Sequence, residues 1–183
     1  MSTLITTTVQ ATTVQATTVQ GVQNIKYDGS TTAATINSDG VIVRGKIPTL
    51  KVGIGTATTI SSGATIQFNS FSNTQVFEGE DNMSAFNTSN YNYTIPANCG
   101  GLWYISASCY TTTSNINQLA VYVDGNRHDA IGSQGGASSM AQGSIIKRLS
   151  VGDVITMNGF SAGSTFTPQP NAYHSWWQMT FLG

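Results

Sequence analysis

Beyond residue 63 the chain alternates apolar and polar residues at a period of two, in short runs separated by turn residues. Such runs predict strands at Thr65 to Phe68, Gln75 to Phe77, Tyr91 to Ile95, Leu102 to Tyr110, Gln118 to Val123, Ser144 to Leu149, Val154 to Met157 and Ser175 to Leu182. Asp124-Gly125 and Gly152-Asp153 supply turns between them. Many short strands with no helical period indicate an all-β sandwich or barrel, and a jelly roll is the expected architecture. The alternation also assigns faces. Trp103, Ile105, Ala107 and Cys109 share one side of their strand, Leu119, Val121 and Val123 one side of another, and Trp177, Met179 and Phe181 one side of the last. Burying one large aromatic side chain is worth about 2 to 3 kcal/mol, so Trp103, Ile105, Trp177, Met179 and Phe181 are the candidate core, with the aromatics dominant.

The first 63 residues follow other rules. Thr12-Thr13-Val14-Gln15-Ala16 and Thr17-Thr18-Val19-Gln20-Gly21 continue a five-residue repeat that begins at Thr7 and is marked by Val9, Val14 and Val19. On a helix five residues advance the direction by about 140°, so the valines spiral rather than form a stripe, and paired Thr beside Val disfavours helix. On a lone strand successive repeats change face, so one chain cannot bury all three valines, whereas identical copies wound about an axis can. Two readings follow: an arm that orders when docked or trimerised, with Val9, Val14 and Val19 as its anchor, or a flexible low-complexity tail. From Ile25 to Gly63 short β-prone pieces alternate with turns, among them Asn37-Ser38-Asp39-Gly40 before Val41-Ile42-Val43.

Charge sharpens this picture. Only 8% of the residues are charged, against about a quarter in an ordinary soluble domain. None lies between Met1 and Ile25, between Val52 and Phe77, or between Asn82 and Val123. Sheet proteins protect exposed edges and faces with Lys, Glu or Pro, so long neutral strands point to surfaces covered by another subunit. A net charge of -1, with Lys26, Arg44, Lys46, Lys51, Arg127, Lys147 and Arg148 unclustered, excludes nucleic acid as an expected partner. No apolar run is long enough for membrane insertion by a helix, and Met1 to Thr8 lacks the features of a secretory signal, so export by the usual route is not expected.

Candidate chemistry is sparse. Cys99 and Cys109 lack metal or redox spacing and read either as two small core residues or as a disulfide. His128 and His174 have no nucleophile or acid at a recognised catalytic spacing, so no enzymatic site and no cofactor are expected. Glu78, Glu80 and Asp81 form the one acidic cluster, read as a solvated loop, and no metal site is assigned to it.

Several ordered motifs carry a family resemblance. Phe86-Asn87-Thr88-Ser89, Tyr93-Thr94-Ile95-Pro96 and Gly101-Leu102-Trp103-Tyr104-Ile105-Ser106-Ala107 follow the order of the C1q/TNF-type signature, and Gly143 to Ile146, Leu149 to Val154 and Trp176 to Leu182 resemble its final strands. Ile105 stands where that family usually has Phe, and Ala107 replaces a later aromatic. The resemblance divides the chain into residues 1–63, an N-terminal anchoring arm and stem, and residues 64–183, a C1q/TNF-like jelly-roll head. It implies a ten-stranded fold assembled as a homotrimer. Some C1q-like trimers bind calcium, which is the metal the acidic cluster would take under this resemblance. Ile36 to Gly40 and Val52 to Thr56 resemble short phrases of phage fibre proteins.

A C1q-like head on a repetitive Thr-rich arm resembles a bacteriophage virion protein. This implies a homotrimeric fibre or spike at the virion surface, assembled in the host cytoplasm. Its other partners would be virion proteins bound through the arm and a host surface receptor or glycan. A capsid decoration or head fibre is the alternative, and a bacterial or secreted C1q-like binding protein a third. Recognition is expected on the polar loops Thr111 to Asn117, Gly132 to Gln142 and Ser161 to Tyr173, with Asn115, Gln134, Gln169 and Tyr173 as candidates, although these stretches also suit plain connections.

Overall fold

The computed structural model describes residues 24–26, 32–36, 42–44, 47–73, 77–112, 116–133, 140–170 and 174–183. Val9, Val14 and Val19 lie outside them. The chain divides into two compact units, Met1–Gly45 and Lys46–Gly183. In the first, strands β1 (Asn24–Lys26), β2 (Thr32–Ile36) and β3 (Ile42–Arg44) form an antiparallel sheet in sequence order. This fits the short β-prone pieces read between Ile25 and Gly63.

The second unit begins earlier than residue 64, where the sequence suggested the head should start. Its strands open with β4 (Thr49–Gly53), β5 (Ile60–Ser61), β6 (Ser72–Asn73), β7 (Phe77–Glu78), β8 (Glu80–Asp81), β9 (Phe86–Asn87) and β10 (Asn92–Thr94). They continue with β11 (Gly101–Tyr110), β12 (Ile116–Val123), β13 (Asn126–Ser133), β14 (Met140–Leu149), β15 (Val154–Ser161), β16 (Thr165–Phe166) and β17 (Trp176–Phe181). The boundary moves because β4 pairs with β17, far along the chain, with Leu50 opposite Met179 and Val52 opposite Trp177. Leu50 and Val52 are fully buried there. A strand whose partner is so remote carries no local signal of which domain it belongs to.

Two five-stranded sheets, ordered β14-β11-β17-β4-β8 and β13-β12-β15-β10-β9, pack through one hydrophobic core into a jelly-roll sandwich. All the pairings are antiparallel and no helix occurs among the described residues. Register follows the alternation: Trp103 faces Phe181, Ile105 faces Met179 and Ala107 faces Trp177 across β11 and β17. Trp103, Ile105, Trp177 and Met179 are fully buried, and Phe181 is half-buried against the core. Aromatic rings join the layers. Tyr93 of the second sheet meets Trp103 nearly edge-on at 5.7 Å, and Phe86 of the same sheet meets Trp177 at 5.6 Å. Such pairs add about 0.5 to 1.5 kcal/mol beyond burial. Trp103 Nε1–H donates to the Cys99 carbonyl at 2.9 Å, so its polar edge is satisfied inside the core.

Three further expectations change. Thr65 to Phe68 is not a strand; Thr65 makes a single bridge to Asn158 while Ile66 and Phe68 plug the core. Glu80 and Asp81 are strand β8 rather than a solvated loop. The Gly132 to Gln142 stretch, read as a loop, contributes its two ends to β13 and β14. Cys99 and Cys109 are buried free thiols, and burial raises both above the usual thiol range.

One side of the sandwich is closed by glycine. A Cβ at Gly143 would sit 1.2 Å from the Ile131 carbonyl oxygen, and one at Gly132 would sit 2.3 Å from that of Gln142. Edge strands β13 and β14, from opposite sheets, therefore touch backbone to backbone, and Lys147 bridges the same edges to Asp129 at 2.9 Å. The hairpin that delivers β13 turns at Asp124 and Gly125, with φ of 50° and 75°, the paired left-handed geometry of a type I′ turn.

Two outcomes follow. Gly143→Ala is expected to lose at least about 3 kcal/mol in urea melts, because backbone rather than a movable side chain must give way. Gly163→Ala, whose nearest neighbours would be at 3.6 Å, serves as the near-neutral control. Trp103→Ala is expected to cost about 3 to 5 kcal/mol, and a melting curve barely altered would contradict the core described above.

Candidate functional site

The same alternation that fills the core loads the outer face of the β14-β11-β17-β4 sheet. Leu102, Tyr104, Ser106, Ser108 and Tyr110 form the outward row of β11. Across β14 they face Arg148, Ile146, Ser144, Gln142 and Met140 in turn. Across β17, Tyr104, Ser106 and Ser108 face Thr180, Gln178 and Trp176, and beyond those lie Thr49, Lys51 and Gly53 of β4.

Leu102 also exchanges backbone hydrogen bonds with the chain end, donating to Gly183 and accepting from Leu182. Phe181 N–H donates to the Pro48 carbonyl, so the register continues to place Leu182 and Ile47 in the same outer row as Leu102. The exposures on this face are high for apolar groups: Ile146 60%, Leu182 49%, Ile47 46% and Leu102 37%. Only Val151, on a turn, joins them among the exposed large hydrophobic side chains of the described residues. Contiguous exposed apolar surface on a soluble domain marks an interaction site.

At its centre the face is small and hydroxylated. Ser108 Oγ donates to the His174 carbonyl at 2.7 Å and Ser106 Oγ to that of Gly143 at 3.2 Å. Both serines are buried despite belonging to the outer row. A depression of about 250 Å³ opens here, lined by Ser106, Ala107, Gln142, Gly143, Ser144 and Trp176. Hydrogen bonds from the Ser106 and then the Ser144 side chain hold the Tyr104 phenol below its usual range, against a smaller opposing effect of burial. The charges along these rows are Arg148 near one margin and, near the other, Lys51 with the exposed Glu80 of β8 opposite it. Between those margins the rows carry no formal charge.

A second feature lies where β8 and β9 cross from one sheet to the other. Asn82 acts as a side-chain staple, accepting from Thr49 N–H at 3.0 Å and donating to the Ile47 carbonyl at 2.7 Å. Asp81 Oδ2 accepts from Phe86 N–H at 2.8 Å. Asp81 Oδ1, Tyr93 Oη, Trp177 Nε1 and Thr49 Oγ1 are buried with no hydrogen-bond partner among the described residues, a state that costs about 1 to 3 kcal/mol per group. Burial, then the Asp81 charge and then Cys99, push the Tyr93 phenol up. Asp81 was seen in the sequence only as part of an acidic run, and Asn82 was missed; a bond to a backbone 33 residues away leaves no local pattern.

The loop candidates fare differently. Asn115, Gln134 and Tyr173 lie outside the described residues. Gln169 is half-buried and holds its loop to the sheet, donating from N–H to the Tyr110 carbonyl of β11 at 2.9 Å and from Nε2 to the Thr167 carbonyl at 3.2 Å. His174 stacks against Tyr110 at 5.4 Å, and His128 is exposed on β13.

No protein-family model matches the chain, and no curated protein matches it in sequence. Solved structures do match its fold. The globular domain of zebrafish complement 1qA aligns over 75% of this chain and 98% of its own, at 10% identity and a TM-score of 0.54. The TNF protein Eiger from S. frugiperda aligns over 75% and 93%, at 9% identity and a TM-score of 0.55. Murine APRIL aligns over 75% and 100%, at 10% identity and a TM-score of 0.51. At such identities the likeness is one of fold, and that fold is the C1q/TNF-like jelly roll.

Proposed function

We propose that this chain is a non-enzymatic structural protein of a bacteriophage particle: a homotrimeric fibre or spike, anchored by its N-terminal arm and displaying the C1q-like head for adhesion to the host surface. The observation that carries self-assembly is the group of exposed apolar side chains on the outer face of the β14-β11-β17-β4 sheet. Ile146, Leu102, Leu182 and Ile47 gain by being covered, and a second copy of the same chain offers neutral strands to cover them. Support for the virion placement comes from the sequence. The repeat marked by Val9, Val14 and Val19 buries all its valines only when identical copies wind together, and a trimeric head supplies three copies at one place. Threefold display also multiplies a weak contact with a host surface by orders of magnitude.

Two experiments test this reading. Sedimentation at micromolar concentration is expected to show a trimer, and Ile146→Glu to convert it to monomer, because a carboxylate buried in the contact costs far more than one on a free surface. Val151→Glu, on a turn away from this face, is expected to remain trimeric. A wild-type monomer would overturn the assembly. Deleting Met1 to Gln20 is expected to leave a trimeric head that no longer joins particles of the phage encoding it. Unchanged incorporation would refute the anchor, and immunogold labelling absent from intact particles would refute the virion placement.

A further inference from the structure

We propose that the groove beside β9, on the β8/β9 side of the head, is a binding site for a neutral saccharide. This deepens the adhesive reading above and rests on it. The groove has a volume of about 520 Å³ and is lined by Ser84, Ala85, Phe86, Asn87, Thr88 and Thr94, within the size range of small-ligand sites. Its chemistry is hydroxyl and amide, with no formal charge; Phe86 closes the wall, its ring packed edge-on against Phe71 and Trp177 on the core side. That set offers donors and acceptors to a polyhydroxylated ligand. It offers nothing to a phosphate backbone or to a charged peptide.

The lining is held in place before any ligand arrives. Asn87 Oδ1 accepts from Ser89 and Asn90 N–H at 2.8 and 3.0 Å, which fixes the amide and leaves its Nδ2 hydrogens to donate elsewhere. Asp81 fixes the Phe86 backbone from behind, and Thr94 N–H donates to the Ala85 carbonyl at 3.0 Å. Ser84 keeps a left-handed backbone, φ 54°, a conformation that costs a non-glycine residue about 1 to 3 kcal/mol and concentrates at ligand clamps. Behind the same wall, Asp81 Oδ1 and the fully buried Tyr93 hydroxyl have no hydrogen-bond partner among the described residues. An added peptide strand is a poor alternative occupant, because β9 is only two residues long before the Asn87 turn ends its edge.

The test uses the full-length protein labelled with ¹⁵N and titrated with maltotriose, cellotriose and chitotriose, with sialyllactose as the charged counter-probe. At least one neutral trisaccharide is expected to shift the amides of Ser84 to Thr88 and Thr94, with a dissociation constant of about 1 mM. The Thr88→Val, Thr94→Val double variant keeps side-chain shape and removes two hydroxyls, and it is expected to bind about tenfold more weakly with an unchanged melting curve. No shift at those amides with any neutral probe, a response to sialyllactose alone, or undiminished binding by the double variant would overturn the site. Sedimentation of the same samples reports assembly separately, so loss of the saccharide site and loss of the trimer are read independently.

Discussion

Everything in the head depends on β11 and β17 being paired strands whose two sides are both committed. Trp103, Ile105, Ala107 and Cys109 point inward beside Phe181, Met179 and Trp177, and the rings of Tyr93 and Phe86 reach across to meet the two tryptophans. The period of two then leaves no choice about the other side: Leu102, Tyr104 and Tyr110 must stand on the outer face. A register slip that hid them would expel both tryptophans, so the sheet cannot resolve its apolar outer face by rearranging. The solution available to it is a partner surface.

That constraint explains the placement of charge. Asn82 to Val123 carries no charged residue, and it contains the interior strands β10, β11 and β12 together with the edge strand β9. Charges appear instead where an edge must be closed or a turn fixed. Lys147 and Asp129 tie β14 to β13. Asp124 accepts from Val154 N–H at 2.9 Å, and Asp153 accepts from Ser150 N–H at 2.8 Å. In a chain this poor in ions, each carboxylate with a backbone partner positions a strand end, and few are left to keep sheet faces apart.

The sequence disclosed the strands with strong alternation and hid those defined by their partners. Leu102 to Tyr110 and Ser175 to Leu182 alternate cleanly, and the structure extends or trims them by a residue or so at each end. Asn126 to Ser133 reads as polar and irregular because β13 is an edge strand, shaped by a type I′ turn at one end and by glycine contact with β14 at the other. β4 was assigned to the stem because its place is set by β17, more than a hundred residues later in the chain. The candidate site follows the same division. The outer face could be read by inverting the core assignment, residue for residue, whereas the groove beside β9 could not: its walls are set by Asp81, Asn82 and a left-handed Ser84.

The two long sides of the sandwich end differently, and the difference bears on where recognition can reside. At β13 and β14 the sheets meet backbone to backbone, with glycines at 132 and 143 leaving no side-chain volume between them. Such an edge is rigid and featureless. At β8 and β9 each edge strand is two residues long; the side chain of Asp81 reaches across to β9, while that of Asn82 ties β8 back to β4 within its own sheet. Side chains that bridge a gap leave space beside them and carry more hydrogen-bonding capacity than the bridge consumes, as the unpartnered oxygen of Asp81 shows. In a fold whose interior is filled by apolar and aromatic side chains, that looser join on the β8/β9 side is where the proposed polar groove lies.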